Sequence, residues 1–340
     1  MLRKVRRGPV SRGNGRVSWL GRAVSWLGVF LGRAGARLWR VLLLRGESAL
    51  SVKVTRLAVV LVVLAAAVFG GGYGLRILER QSVTTTYSMK VGSMTRSWEQ
   101  ITPVAPLPKD APIIVVLSGI AATVPEEIGR DRFMPYVNAD MAELVYPVSY
   151  RESWNAIGCC GAASRHNVDD VAFIKALAAR VDPGNQRQID VVGYSNGGRL
   201  AYRMACDYPG VFDQIAVVKA DPQPGCVVTR PQDVLQVASL NDTAVPFEPG
   251  DNGEESPPAT VQVGRLRTAA MCPETSVTTA HGSGMKLTVW DDCADGTRIG
   301  FAVYSSGGHN FPPPTSTEPA AAAVIWAFFH ATNTVKPLPA

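Results

Sequence analysis

The chain has 340 residues, 46% hydrophobic and 18% charged, with a formal net charge of +6. These figures exclude a disordered protein, a collagen and a small disulfide-held scaffold, and leave room for one large domain or two small ones. The charge is uneven: residues 1–56 carry thirteen Lys or Arg and one acid, Glu47, whereas residues 57–340 carry 21 bases and 27 acids. A basic head of net +12 therefore precedes a body of net −6, and the overall sign gives no reason to expect a nucleic-acid partner.

Within the head, Val17-Ser18-Trp19-Leu20-Gly21 recurs seven residues later as Val24-Ser25-Trp26-Leu27-Gly28. Arg22, Arg33, Arg37 and Arg40 fall near one helical face, a pattern suited to an anionic membrane surface. The interspersed glycines suit a poorly ordered basic tail equally well. Leu57 to Leu75 is an uncharged run of 19 residues closed by Lys53 and Arg56 before it and Arg76 and Arg80 after it. Such a run is long enough to cross a bilayer as a helix, so residues 57–76 are expected to be a transmembrane helix. The basic excess before it keeps residues 1–56 in the cytoplasm and sends the body across the membrane. A cleaved signal peptide is the rival, with Ala65-Ala66-Ala67 as small cleavage residues, but the basic region is far longer than a usual signal n-region.

Residues 77–110, with a Thr run and Pro103, Pro106 and Pro108, read as a stalk and lead-in, and residues 111–334 as the catalytic domain. Pro112–Leu117 is a continuous apolar run, the pattern of a buried parallel strand. Further strands are expected at Leu144–Val148, Ile189–Gly193, Gln214–Val218, Val234–Ala238, Leu287–Trp290 and Ile299–Tyr304. Helices are expected at Val168–Val181, Leu200–Cys206, Val261–Ala270 and Ala320–His330. In the first of these Val171, Ile174, Leu177 and Val181 recur at helical spacing. Strands alternating with helices predict a mainly parallel α/β sheet with helices on both faces.

The strand at 189–193 runs into Gly193-Tyr194-Ser195-Asn196-Gly197-Gly198, a Gly-x-Ser-x-Gly motif between a predicted strand and a predicted helix. Glycines on both sides let the chain reverse sharply and expose the serine hydroxyl. A serine hydroxyl needs a base to become a nucleophile. Of the four histidines, His309 lies in a Gly-flanked loop after a late strand, whereas His166 precedes the serine, His281 is in a polar stretch and His330 is in the last helix. Asp242 follows the strand Val234–Ala238 directly, where sites form in open α/β sheets. Asp221 is the runner-up and Asp251, in a loop of Gly, Pro and acids, reads as surface. Two backbone N–H groups would bind an oxyanion, those of Asn196 and of Ile120, with Gly119 as rival to Ile120.

Trp154-Asn155, Cys159-Cys160-Gly161, Val168-Asp169-Asp170-Val171-Ala172-Phe173, the Gly193–Gly198 elbow, Ala201-Tyr202-Arg203 and Ala205-Cys206 together resemble the polyhydroxybutyrate depolymerase and feruloyl/acetylxylan esterase-like family of α/β-hydrolases. The Asp242 segment and Gly308-His309-Asn310-Phe311-Pro312 are similar to the family's acid and histidine motifs. The likeness spans roughly residues 111–330 and implies an α/β-hydrolase fold with Ser195, Asp242 and His309 as nucleophile, acid and base. It departs from the family at Ser118-Gly119-Ile120, where a His-Gly-rich turn is common, and at Asn310-Phe311, where Thr-Trp is frequent. With no polymer-binding module expected, a soluble carboxylic ester fits better than an insoluble polyester.

All six cysteines lie beyond the apolar span, as suits an oxidising compartment. Cys272 and Cys293 flank a predicted strand and are expected to form one bridge. Adjacent Cys159 and Cys160 would bond different partners among Cys206 and Cys226, in an order the sequence leaves open. A zinc site is weak here, since no Cys-x-x-Cys or paired His spacing occurs, and no cofactor is expected. Trp154 reads as packing more than as pocket lining. The expectation is thus a membrane-anchored extracytoplasmic serine esterase acting on small or polymeric esters. A serine peptidase of the same fold and a non-catalytic surface-binding protein are the rival readings.

Overall fold

A computed structural model describes residues 82–339 apart from 224, 227, 229, 249–256 and 333. The basic head, the expected membrane helix at 57–76 and Asp251 lie outside the described residues. Among the described residues no helix is long and apolar enough to cross a membrane.

The segment expected as a stalk holds a hairpin. Ser82–Val91 (β1) and Met94–Pro103 (β2) pair antiparallel, and Gly92 takes the turn at φ +57°. Threonines and valines favour the extended chain, but only a few side chains are buried, which is why no apolar run announces it. Trp98 and Ile101 of β2 reach the core, and Tyr87 of β1 stacks on Trp98 at 5.4 Å between ring centres. Among the described residues the expected lead-in is therefore sheet from Ser82 onward.

Next come Ile113–Leu117 (β3), the helices Val124–Asp131 (α1) and Met134–Asn138 (α2), and Glu143–Pro147 (β4). They are followed by Gly161–Arg165 (α3), Asp170–Val181 (α4), Ile189–Tyr194 (β5), Asn196–Asp207 (α5), Gln214–Val218 (β6) and Asp233–Ser239 (β7). Ala259–Ala269 (α6), Val277–His281 (β8), Met285–Trp290 (β9), Ile299–Tyr304 (β10) and Ala321–Phe329 (α7) complete the order. Among the described residues the ten strands form one sheet, ordered β1-β2-β4-β3-β5-β6-β7-β10-β9-β8. From β4 to β10 every neighbour is parallel, and antiparallel pairs close both edges.

Strand alternation divides one apolar run between two cores. Ile113, Val115 and Leu117 pack with Trp154 and with Phe173 of α4 and Leu200 of α5, whereas Ile114 and Val116 join Phe133, Val137 of α2 and Val324 and Phe328 of α7. Helices on both faces leave only the strand ends open, and the carboxyl ends of β3, β5, β7 and β10 carry the site. The α1 helix, absent from the expected elements, offers the core only Val124 and Ile128 beside the buried Glu127 and Asp131. Its start is held by Glu126, which accepts hydrogen bonds from the Thr123 N–H (2.8 Å) and hydroxyl (2.7 Å).

Candidate active site

Ser195 sits between β5 and α5 at φ 52°, ψ −118°, in the positive-φ region that non-glycine residues rarely occupy. Its N–H donates to the Val218 carbonyl at 2.9 Å. The flanking glycines are required by contact. A β-carbon on Gly193 would run into the Gly197 backbone, and one on Gly197 into the carbonyls of Leu117 and Ser118. The elbow is therefore pressed against the end of β3, where Gly119 passes close to Ser195 and Tyr194.

The loop after β10 brings His309 over the sheet edge, with Nε2 3.0 Å from Ser195 Oγ. Nδ1 lies 3.1 Å from both oxygens of Asp242, which follows β7. The carboxylate also accepts the N–H groups of Ala244 (2.9 Å) and Val245 (3.0 Å). Burial pushes this carboxyl up, but the His309 bond and the Val245 and Ala244 amides outweigh it and hold Asp242 below the usual carboxylate range. An ionised Asp242 can only accept, so Nδ1 carries the proton and Nε2 is left free to take one from Ser195. The histidine loop is itself tied down: the Tyr194 hydroxyl donates to the His309 carbonyl at 2.5 Å, and the Gly308 N–H donates to Asn241 Oδ1 at 2.9 Å.

The two amides expected to bind an oxyanion belong to Asn196, which follows Ser195 in the chain, and Ile120, which follows Gly119. Neither the Asn196 nor the Ile120 N–H has an acceptor among the described residues. Gly119, the rival to Ile120, directs its N–H to Glu127 Oε2 at 3.4 Å. Glu127 is fully buried in α1; burial raises its carboxyl, while Arg130, at 2.7 Å, and the Gly119 amide oppose that shift. The Asn196 side chain holds the other wall: Oδ1 accepts the Trp154 N–H (2.7 Å) and Nδ2 donates to the Trp154 carbonyl (3.2 Å). Trp154 is buried and its indole donates to the Ser118 carbonyl at 3.0 Å, a packing role.

Asp221, the runner-up acid, is ion-paired with Arg199 and does not reach His309. His166 lies beside Tyr150, His281 on the edge strand β8, and His330 stacks on Trp326 at the end of α7. The cysteines bond as Cys272–Cys293, Cys206–Cys226 and Cys159–Cys160. The last corrects the expectation that the adjacent pair takes different partners: Cys206, on α5, is 5.5 Å by Cα from Cys226, so these two satisfy each other. Cys160 lies against Asn196 Nδ2 at 3.7 Å, which places this bridge beside the candidate oxyanion amides. Among the described residues no cluster of His, Cys, Asp and Glu is arranged to hold a metal ion.

Sequence reasoning did not find Tyr194, Glu127 or Asn241 as site residues. Tyr194 stands in the elbow motif and was open to notice. The other two act through contacts that only the folded chain creates.

No protein-family model matches the chain. It is 28% identical over 264 residues to "Putative esterase NocK" of Nocardia uniformis subsp. tsuyamanensis, across 69% of this chain and 76% of that one. It is 26% identical over 205 residues to feruloyl esterase C of Emericella nidulans, across 57% of this chain and 72% of that one. Among solved structures it is similar to an acetyl xylan esterase from Aspergillus awamori, at 15% identity and a TM-score of 0.43, across 68% of this chain and 94% of that one.

Proposed function

We propose that this chain, an esterase-like α/β-hydrolase, cleaves carboxylic esters through an acyl-enzyme formed on Ser195. The observation that carries the reading is the continuous line from Ser195 Oγ to His309 Nε2 (3.0 Å) and from His309 Nδ1 to Asp242 (3.1 Å) at the carboxyl ends of parallel strands. His309 takes the Ser195 proton as the oxygen attacks the ester carbonyl. Asp242 holds the reactive tautomer and stabilises the imidazolium. The amides of Ile120 and Asn196 bind the developing oxyanion, strengthened at Asn196 by the start of α5. His309 then returns the proton to the departing alcohol, and water repeats the sequence on the acyl-enzyme. Ile120 is 42% exposed, so its apolar side chain is offered to the substrate at the same position.

The −6 body beyond a basic head and an apolar run supports a catalytic domain held outside the cytoplasm by one anchor. Three disulfides in the body support an oxidising compartment. The feruloyl esterase name borne by relatives makes hydroxycinnamoyl esters the first substrates to try beside short acyl esters.

The test uses the full chain in detergent. Wild type should release p-nitrophenol from short acyl esters and bind a fluorophosphonate probe covalently; Ser195→Ala should do neither. Equal turnover by both proteins refutes the assignment. Fusion of a reporter active only outside the cytoplasm to residue 340 tests the location, and an inactive fusion rules out the proposed orientation.

A further inference from the structure

Lys219 follows β6 directly and is only 1% exposed. Its backbone is at φ +53°, a region that costs a lysine conformational energy. Burying an ammonium is costly unless it is compensated. Among the described residues its side chain has one hydrogen-bond partner, the Ser239 hydroxyl at the end of β7, and no carboxylate close enough for an ion pair. A side chain retained against two penalties with so little direct compensation points to a role.

Its surroundings say which role. Ser239 lies three residues before Asp242 and donates its hydroxyl to the Ser306 carbonyl at 2.7 Å, in the loop that carries His309. The same loop is fixed from the other side by Glu318, which accepts from the Ser305 N–H (3.2 Å), the Ser305 hydroxyl (2.9 Å) and the Ser306 hydroxyl (3.4 Å). Lys219 thus links the ends of β6 and β7 and, through Ser239, the loop after β10 that carries His309. We propose that Lys219 is a positioning residue for that pair: its ammonium fixes Ser239 and the histidine loop, and its charge behind Asp242 sets the pH range in which His309 acts as a base. This rests on the serine-esterase reading above.

Burial lowers the Lys219 ammonium to about 8, against the opposing pull of Asp242 and Glu318. The charge is therefore lost in mildly alkaline solution. The charged groups that act on it are Asp242 after β7, which is paired with His309, and Glu318 before α7.

The experiment follows the rate of Ser195 labelling by a fluorophosphonate from about pH 5 to about pH 9.5 in the full chain, a range wide enough to include the lowered lysine. Wild type should show the His309 limb and a second inflection near the Lys219 value of about 8. In Lys219→Met the acid limb should move to higher pH by about half a unit or more, because removing a nearby cation favours the imidazolium, and the second inflection should vanish. Lys219→Arg keeps the charge but does not titrate in this range, so its acid limb should stay in place while the inflection disappears. A Lys219→Met profile of unchanged shape and merely lower rate overturns the proposal, as does an inflection that persists in Lys219→Arg. Should neither variant fold, wild type still decides, since a profile without the second inflection removes the proposal. A wild type that does not label at all refutes the esterase reading instead, so the two failures are distinct.

Discussion

The two ends of the parallel strands use charge in opposite ways. At the amino ends three charged groups find partners on other strands of the sheet. Arg298 before β10 holds Asp233 of β7 at 3.1 Å, the Asp213 carboxylate before β6 accepts the Ile189 N–H of β5 at 2.7 Å, and Arg187 before β5 reaches Glu143 of β4 at 2.6 Å. At the carboxyl ends Ser195 and Lys219 take positive φ, Lys219 is buried without an ion-pair partner, and one oxygen of Glu127 has no hydrogen bond. The amino ends close the register of the sheet. The carboxyl ends keep strained backbone and a buried cation without an ion-pair partner, which the rest of the fold must hold in place. Substitutions at the two ends should therefore fail differently: at one in turnover, at the other in stability.

The largest separation is expected at Asp242. Asp242→Asn should lower kcat for ester hydrolysis roughly 10³- to 10⁴-fold, because the amide stabilises the wrong imidazole tautomer. Binding of an unreactive substrate analogue should persist, and loss of both together would return Asp242 to a structural role. Gly197→Ala joins the two properties. Its β-carbon would overlap the carbonyls of Leu117 and Ser118, so about 3 kcal/mol or more of stability should be lost by urea unfolding. A stable Gly197→Ala protein would mean that the elbow is not pressed against β3.

The same division shows in what the sequence made legible. The elbow and the strands around it are local: an apolar run meets Gly-x-Ser-x-Gly, and the expected β6 and β10 coincide with the observed ones. Asp242 was legible because it follows a strand directly and His309 because it stands in a Gly-flanked loop after a late strand, and the structure sets Asp242 against His309 and His309 against Ser195. The hairpin β1–β2 was not, because its inward residues are few and its threonines suit a stalk as well as an edge strand. The Cys159–Cys160 bridge was hidden by the assumption that neighbours must seek distant partners. Lys219, Glu127 and the Ser239 link could not be seen at all, since their meaning depends on side chains from separate strands meeting at one edge.

At the amino end, Arg298→Ala removes bonds to Asp233 and to the Phe328 carbonyl (2.7 Å) together. We expect a loss of about 2 kcal/mol of unfolding free energy with fluorophosphonate labelling of Ser195 unchanged. A fall in labelling rate without a fall in stability would break the division between the two ends.

The smallest expected effect has a sign that tests the amino end more finely. Asp190, the second residue of β5, is fully buried, and its two oxygens accept from Gln188 Nε2 at 3.0 and 2.8 Å. Burial raises its carboxyl well above the ordinary value, outweighing the Gln188 bonds, with Asp213 and Asp233 adding to the rise. A carboxyl raised in the folded state contributes stability that is present below the unfolded value and is lost as pH climbs through the folded one. Asn imitates the protonated form at every pH. Asp190→Asn should therefore match wild type near pH 4 and exceed it by about 1 kcal/mol at pH 8, read as a gap in urea midpoint that opens with pH. A gap of constant size would assign the change to packing. A variant less stable at pH 8 would show that ionised Asp190 is as well paired as its neighbours Asp213 and Asp233, which would extend the rule of satisfied charge to the whole amino edge.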